Sequence, residues 1–175
     1  MKFGVTLLPD DYVKLPQRAQ LAEALDYDYI GIADSQSLFR ELYVSLSVVA
    51  QATQKAQIGP AVTNPVTRHP AVTASAIASI NDLSGGRAFL GIGSGDSALL
   101  NLELRPARHA QLREYIQAVR AVLSGQPYWY RGRNIHVRWS STPVPIMVTA
   151  EGPRTLAMAG EVADIVLVHT GLTTE

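Results

Sequence analysis

At 175 residues the chain is long enough for one domain with a sizeable buried core, and 47% hydrophobic against 17% charged residues is a globular balance, not a disordered one. A formal net charge of +0 leaves no long-range field to gather nucleic acid or a membrane surface, and no basic run or basic/aromatic patch stands out. The lack of cysteine excludes a disulfide framework, thiolate metal ligands and a cysteine nucleophile; with no apolar stretch of signal-core or membrane-spanning length either, the expected location is cytoplasmic, with no membrane partner.

The chain opens on an apolar run at 2–8, followed by five further β-rich runs at 27–33, 57–62, 87–93, 145–149 and 164–168. Their nearly continuous apolar character predicts strands buried on both faces, as in a parallel sheet covered by helices. Pro16 stands where a first-turn proline is tolerated, ahead of Ala22 and Leu25, so a helix follows the first run. Asp34 ends the second run and Ser35 follows it; a polar residue there either faces a ligand at the loop end of the strand or caps the next helix. The third run ends in Ile58-Gly59-Pro60-Ala61-Val62-Thr63-Asn64-Pro65. Proline cannot donate to a ladder, so this strand end bulges or stops, and its freed backbone is either available to a ligand or simply an irregular loop. Thr67-Arg68-His69-Pro70 begins a helix through Ile80, with His69 as a capping or packing residue. Asn81-Asp82-Leu83-Ser84-Gly85-Gly86 ends it, because glycine enters left-handed conformations cheaply.

The fourth run leads into Gly91-Ile92-Gly93-Ser94-Gly95-Asp96-Ser97. The dinucleotide fingerprint needs a third glycine where Asp96 stands, and no Gly-Lys-Ser/Thr occurs, so a glycine-rich strand end beside a bulky planar ligand fits better. The alternative is a tight turn with an Asp cap. From Pro106 onward, Leu112, Ile116, Val119 and Leu123 recur at helical spacing while Arg113, Gln117 and Arg120 face away, and Gly125 closes the helix. Residues 126–141 alternate around Arg131-Gly132-Arg133 like a β-hairpin, packed by Trp129 and Trp139, and read as an insertion. His109, His136 and His169 lack metal-ligand spacing and Ser94 lacks a hydrolase elbow, so neither a metal site nor a serine nucleophile is expected.

Strands at roughly thirty-residue intervals are βα units, which assemble into a barrel or a doubly wound sheet. Length alone favours the open sheet, since a barrel takes eight strands and about 250 residues. Three segments overturn that preference. The stretch Gly59 to Ser75, the pair Leu83-Ser84-Gly85-Gly86-Arg87 and Leu90 to Ala98, and Ala150-Glu151-Gly152-Pro153-Arg154 leading into 159–164 together resemble the luciferase-like superfamily, particularly its methylenetetrahydromethanopterin-reductase-like branch.

The resemblance implies an α/β fold, a TIM-type (β/α) barrel over 1–175, truncated after about six strands, that binds FMN or coenzyme F420 at its C-terminal mouth. It implies a non-prolyl cis peptide at Ala61–Val62, with Pro60, Ala61 and Val62 backing the flavin ring. It assigns Asp34 as a cofactor-contacting acid, Asp96 as the catalytic acid/base near the reactive edge, and Glu151 and Gly152 as contacts to the ribityl-phosphate end. Some F420-dependent relatives carry a histidine proton donor directly after the strand-two acid, where this chain has Ser35, so the substrate class stays open. The implied activity is a flavin- or deazaflavin-dependent oxidoreductase, either a monooxygenase or an F420-linked reductase, acting on a small organic substrate. A non-catalytic flavin-binding barrel and an open-sheet nucleotide-binding domain are the alternatives. Without a seventh and eighth strand, edges one and six would be exposed, so either a homo-oligomer or a missing C-terminal segment is expected.

Overall fold

The structure, a computed structural model, describes residues 1–140 and 142–168; His169 and the residues after it lie outside the described residues. All six apolar runs form strands, five of them followed by helices. The order is β1 (Gly4–Leu7), α1 (Leu15–Ala24), β2 (Tyr29–Ile32), α2 (Leu42–Ala52), β3 (Gln57–Pro60), α3 (Pro70–Leu83) and β4 (Leu90–Ile92). There follow α4 (Ser97–Leu100), α5 (His109–Leu123), the hairpin β5 (Tyr128–Tyr130) and β6 (Arg133–Ile135), β7 (Ile146–Ala150), α6 (Pro153–Val162) and β8 (Ile165–Val168). Among the described residues no helix is long and apolar enough to cross a membrane.

Two open parallel sheets, ordered β1-β2-β3 and β4-β7-β8, hold the main strands. Register stacks Val5 beside Ile30 and Ile30 beside Ile58 in the first sheet, and Gly91 beside Met147 in the second. Single parallel bridges, Ile58 to Ala88 and Thr63 to Ile92, join β3 to β4. Between those bridges β3 leaves the ladder just where Pro60 removes a donor, and the Ala61–Val62 peptide bond is cis, as the resemblance implies. The amide of Ala61 donates back to Ile32 O at 2.8 Å and that of Thr63 to Gly91 O at 3.0 Å, so this detour remains tied to both neighbours.

Ile30, Ile32, Ile58, Leu90, Ile92, Ile146 and Val148 are wholly buried, which is why their runs read as unbroken apolar sequence. Each contributes about 1.5–3 kcal/mol on burial. Helix α5 buries Leu112, Ile116, Val119 and Leu123 as their spacing predicts. Its outward arginines are not idle, however. Arg113 pairs with Glu161 at 2.6 Å and Arg120 with Asp164 at 2.9 Å, tying α5 to the α6–β8 unit.

The hairpin forms where expected, but its tryptophans do not pack it: Trp129 is 70% and Trp139 54% exposed. For Trp129 strand alternation explains the correction, because burying Tyr130 turns its neighbour to the opposite face, and Ile135 and Val137 complete the packed side; Trp139 lies beyond the end of β6.

A carboxylate that the sequence reading passed over fixes the entry to β3. Glu23 accepts the amides of Gln54 (3.0 and 2.9 Å), Lys55 (2.7 Å) and Ala56 (2.9 Å). Burial alone would raise its pKa, but the amides of Ala56, Lys55 and Gln54 outweigh burial and hold it below its usual value of 4.5. A depressed folded pKa adds stability above the unfolded value, and that stability is lost as pH falls through the folded one. Glu23→Gln should therefore lower stability by about 2 kcal/mol at neutral pH. Urea unfolding at pH 7 and at pH 3 checks this: the gap should shrink in acid, and an equal gap at both would refute the assignment.

Candidate functional site

The C-terminal ends of β2, β3, β4 and β7 converge on a cavity of about 620 Å³. This is the end of a parallel sheet at which ligands bind, and the size is that of a small-molecule site. Asp34, Ala61, Val62, Asp96, Glu151 and Gly152 all line it, together with Ser35. Pro60 is absent from the lining: it lies buried within β3, behind the detour that carries Ala61 and Val62.

Asp34 is not a helix cap. Helix α2 starts at Leu42 and is capped by Glu41, whose Oε2 accepts the Val44 amide at 2.8 Å. The Asp34 side chain, 3% exposed, instead accepts from Thr63 Oγ1 and from Arg68 Nη1, both at 2.7 Å. Arg68 continues to Glu41 Oε1 at 3.0 Å and lies over the Tyr43 ring. Its carbonyl accepts from the Tyr115 hydroxyl at 3.0 Å. Burial pushes the Tyr43 and Tyr115 hydroxyls well above the ordinary tyrosine range, so both stay neutral at physiological pH. This cluster clamps the segment 63–68 against β2 and α2.

Asp96 differs in kind. It occupies the N-cap position of α4, yet its side chain caps nothing, and among the described residues no hydrogen bond or ion pair engages its carboxylate. The Asp-cap alternative is thus not realised. Ser35 Oγ is buried in the cavity wall with no hydrogen-bond partner among the described residues. The glycines beside Asp96 serve close approach. A Cβ on Gly93 would fall 2.5 Å from Thr149 Cγ2, and Gly95, at φ +104°, would place one 2.3 Å from Leu99 Cδ1.

The profile of the luciferase-like monooxygenase family matches residues 1–175. The chain belongs to that family. This luciferase-like chain is 37% identical to a 5,10-methylenetetrahydromethanopterin reductase of Methanolobus tindarius over 97% of its own length and 54% of that protein's. It is 36% identical to the enzyme of the same name from Archaeoglobus fulgidus, over 97% of this chain and 53% of that protein. The solved structure of the coenzyme F420-dependent tetrahydromethanopterin reductase of Methanopyrus kandleri superposes with a TM-score of 0.83 at 30% identity, covering 95% of this chain and 55% of that one. The chain spans about half the length of the curated relatives it matches.

Within the luciferase-like chain, two histidines do structural work. His69 caps α3 by accepting the Ala71 amide at 3.2 Å, and His109 bonds Thr155 Oγ1 at 2.9 Å. Among the described residues no cluster of His, Cys, Asp and Glu could hold a metal. Thr63, Arg68 and Glu41 were missed from sequence because nothing local marks an ion pair between residues 34 apart in the chain.

Proposed function

We propose that this luciferase-like chain supplies six strands and five of the helical connections of a TIM-type barrel, part of an oxidoreductase that binds F420 in the cavity at the strand ends. The observation that carries this reading is a single cavity walled by the Ala61–Val62 detour and holding one carboxylate, Asp96, that has no protein partner among the described residues. Family relatives at 30–37% identity whose names include tetrahydromethanopterin reductase and F420 support the choice of F420 over FMN.

The residues present fit such a group: a tightly turned glycine strand end, an apolar wall and a buried hydroxyl that lacks a partner. Ala61 and Val62 would lie against the ring, with Pro60 supporting them from behind, and Glu151 and Gly152 would meet the polar end. Asp34 would act mainly through Arg68, by fixing the segment that walls the site. When bound, the cofactor supplies the hydride chemistry. Asp96 would hold or release the proton at the substrate, a small organic molecule for which methylenetetrahydromethanopterin is the first to try.

Titration with F420 and with FMN, followed by absorbance, tests the cofactor reading; saturable binding of F420 is expected, and binding of neither would overturn it. Asp96→Asn keeps size and removes the charge. In the full-length protein, turnover of reduced F420 should fall by about 10²-fold or more with little change in cofactor affinity. Unchanged turnover would leave Asp96 a loop residue, and tight binding without turnover in the unaltered protein would favour a non-catalytic flavoprotein.

A further inference from the structure

The loop whose residues 63 and 64 line the first cavity also walls a second one. Residues 65–70 and the β5–β6 hairpin border an open hollow of about 420 Å³, and the charged side chains lining it are Arg68, Arg131 and Arg133, with no carboxylate among the lining residues. Arg68 is already engaged by Asp34 and Glu41, so the free positive field comes from the hairpin. Arg131 stacks over the Tyr130 ring at 5.2 Å and reaches Glu114 only at 4.0 Å. No hydrogen bond or ion pair engages the Arg133 guanidinium among the described residues.

His69 also lines this cavity. Its Nδ1 accepts the Ala71 amide, so in the neutral ring the proton resides on Nε2. The same bond, with Pro70 lacking an N–H, means that the start of α3 offers the cavity little, and the side chains must do the binding. His69 and Tyr130 meet edge to face at 5.4 Å and 89°, which fixes the hairpin against the loop. Over 126–140 the hairpin region carries Arg131, Arg133, His136 and Arg138 beside Trp129 and Trp139, and no acid. The expectation that no basic/aromatic patch exists is therefore corrected here: a net charge of +0 conceals a local one.

We propose that this second cavity binds an oxyanion of a small molecule, a phosphate or a carboxylate. A pocket lined by donors and free of carboxylates favours an anion, and two guanidinium forks match the paired oxygens of either group. The proposal stands apart from the cofactor reading, because none of the residues varied below lines the 620 Å³ cavity.

Calorimetric titration of the chain at low salt, with inorganic pyrophosphate in one arm and triglutamate in the other, tests it. Arg131 has φ +46°, a conformation asparagine tolerates, so Arg131→Asn keeps the turn, and Arg133→Gln keeps side-chain length. Each should weaken binding by about tenfold, whereas Arg138→Gln, just past β6 and outside the cavity, should leave it unchanged. Saturable binding of either probe with this pattern supports the site, and the probe that binds tells phosphate from carboxylate. Lack of saturable binding by both, or an equal loss in Arg138→Gln from diffuse charge, would overturn it. Melting curves of the variants confirm that each is folded.

Discussion

Gly91→Ala should be among the most damaging single-methyl additions at the described glycines of this chain. A Cβ there would lie 2.0 Å from Pro60 O, 3.1 Å from Pro60 C and 3.3 Å from Val62 Cγ1. Two of these are backbone atoms, so no side chain can rotate away; β3 and β4 must separate at the only place where the two sheets are bridged among the described residues. Overpacking ordinarily costs about 1–3 kcal/mol, and collision with fixed backbone belongs at or beyond the top of that range. Against a total stability of about 5–15 kcal/mol, that lowers the melting temperature by about 10 °C. Gly59→Ala should behave alike, since its Cβ would meet Phe89 O at 2.1 Å. Differential scanning calorimetry decides: a Gly91→Ala midpoint within about 2 °C of the parent would show that the seam yields.

Arg68→Gln should be the next most severe, and it should reach the site as well as the fold. Its removal leaves the Asp34 carboxylate, 3% exposed, with Thr63 Oγ1 at 2.7 Å as the one remaining side-chain donor among the described residues. Breaking one side of a buried pair costs about 3–5 kcal/mol, because the orphaned charge stays desolvated. Arg68 itself is 18% exposed, so solvent screens this pair only weakly. Asp34→Asn should cost less, since Arg68 keeps Glu41 at 3.0 Å. The double variant should be no worse than Arg68→Gln alone, and a double-mutant cycle by urea unfolding would expose simple additivity as the contrary result. F420 affinity should fall with Arg68→Gln because the segment 63–68 loses its anchor.

Strands β2, β3, β4 and β7 were legible because both of their faces are buried, which leaves an apolar run with few polar interruptions. The same burial was expected of β1 and β8, and there the structure corrects it: their residues are half-buried or exposed. Strand ends were less legible. The run 57–62 is regular strand only over Gln57–Pro60, and 87–93 only over Leu90–Ile92, because hydrophobicity continues past the regular ladder. The helix stops at Gly85, Gly86 and Gly125 were readable because each takes positive φ. Trp129 was misread because large apolar size was taken as burial, when alternation with buried Tyr130 places it outside. The wall of the first cavity was largely readable through the resemblance. The Asp34–Arg68–Glu41 clamp was not, since its partners come from different βα loops. Nor was the second cavity, which exists only because the hairpin folds back onto the start of α3.

The first cavity draws its lining mainly from residues beyond the last paired position of each strand, Asp34 and Ser35 after β2, Ala61 and Val62 after β3, and Asp96 after β4. The collisions with backbone, at Gly59 and Gly91, lie inside the strands, whereas an added Cβ at Gly93 or Gly95 would meet side chains. Selection therefore meets two separate sets of positions. Side chains at the strand ends can be exchanged one at a time to reshape the cavity, while a change at Gly59 or Gly91 disturbs the register that supports all of them.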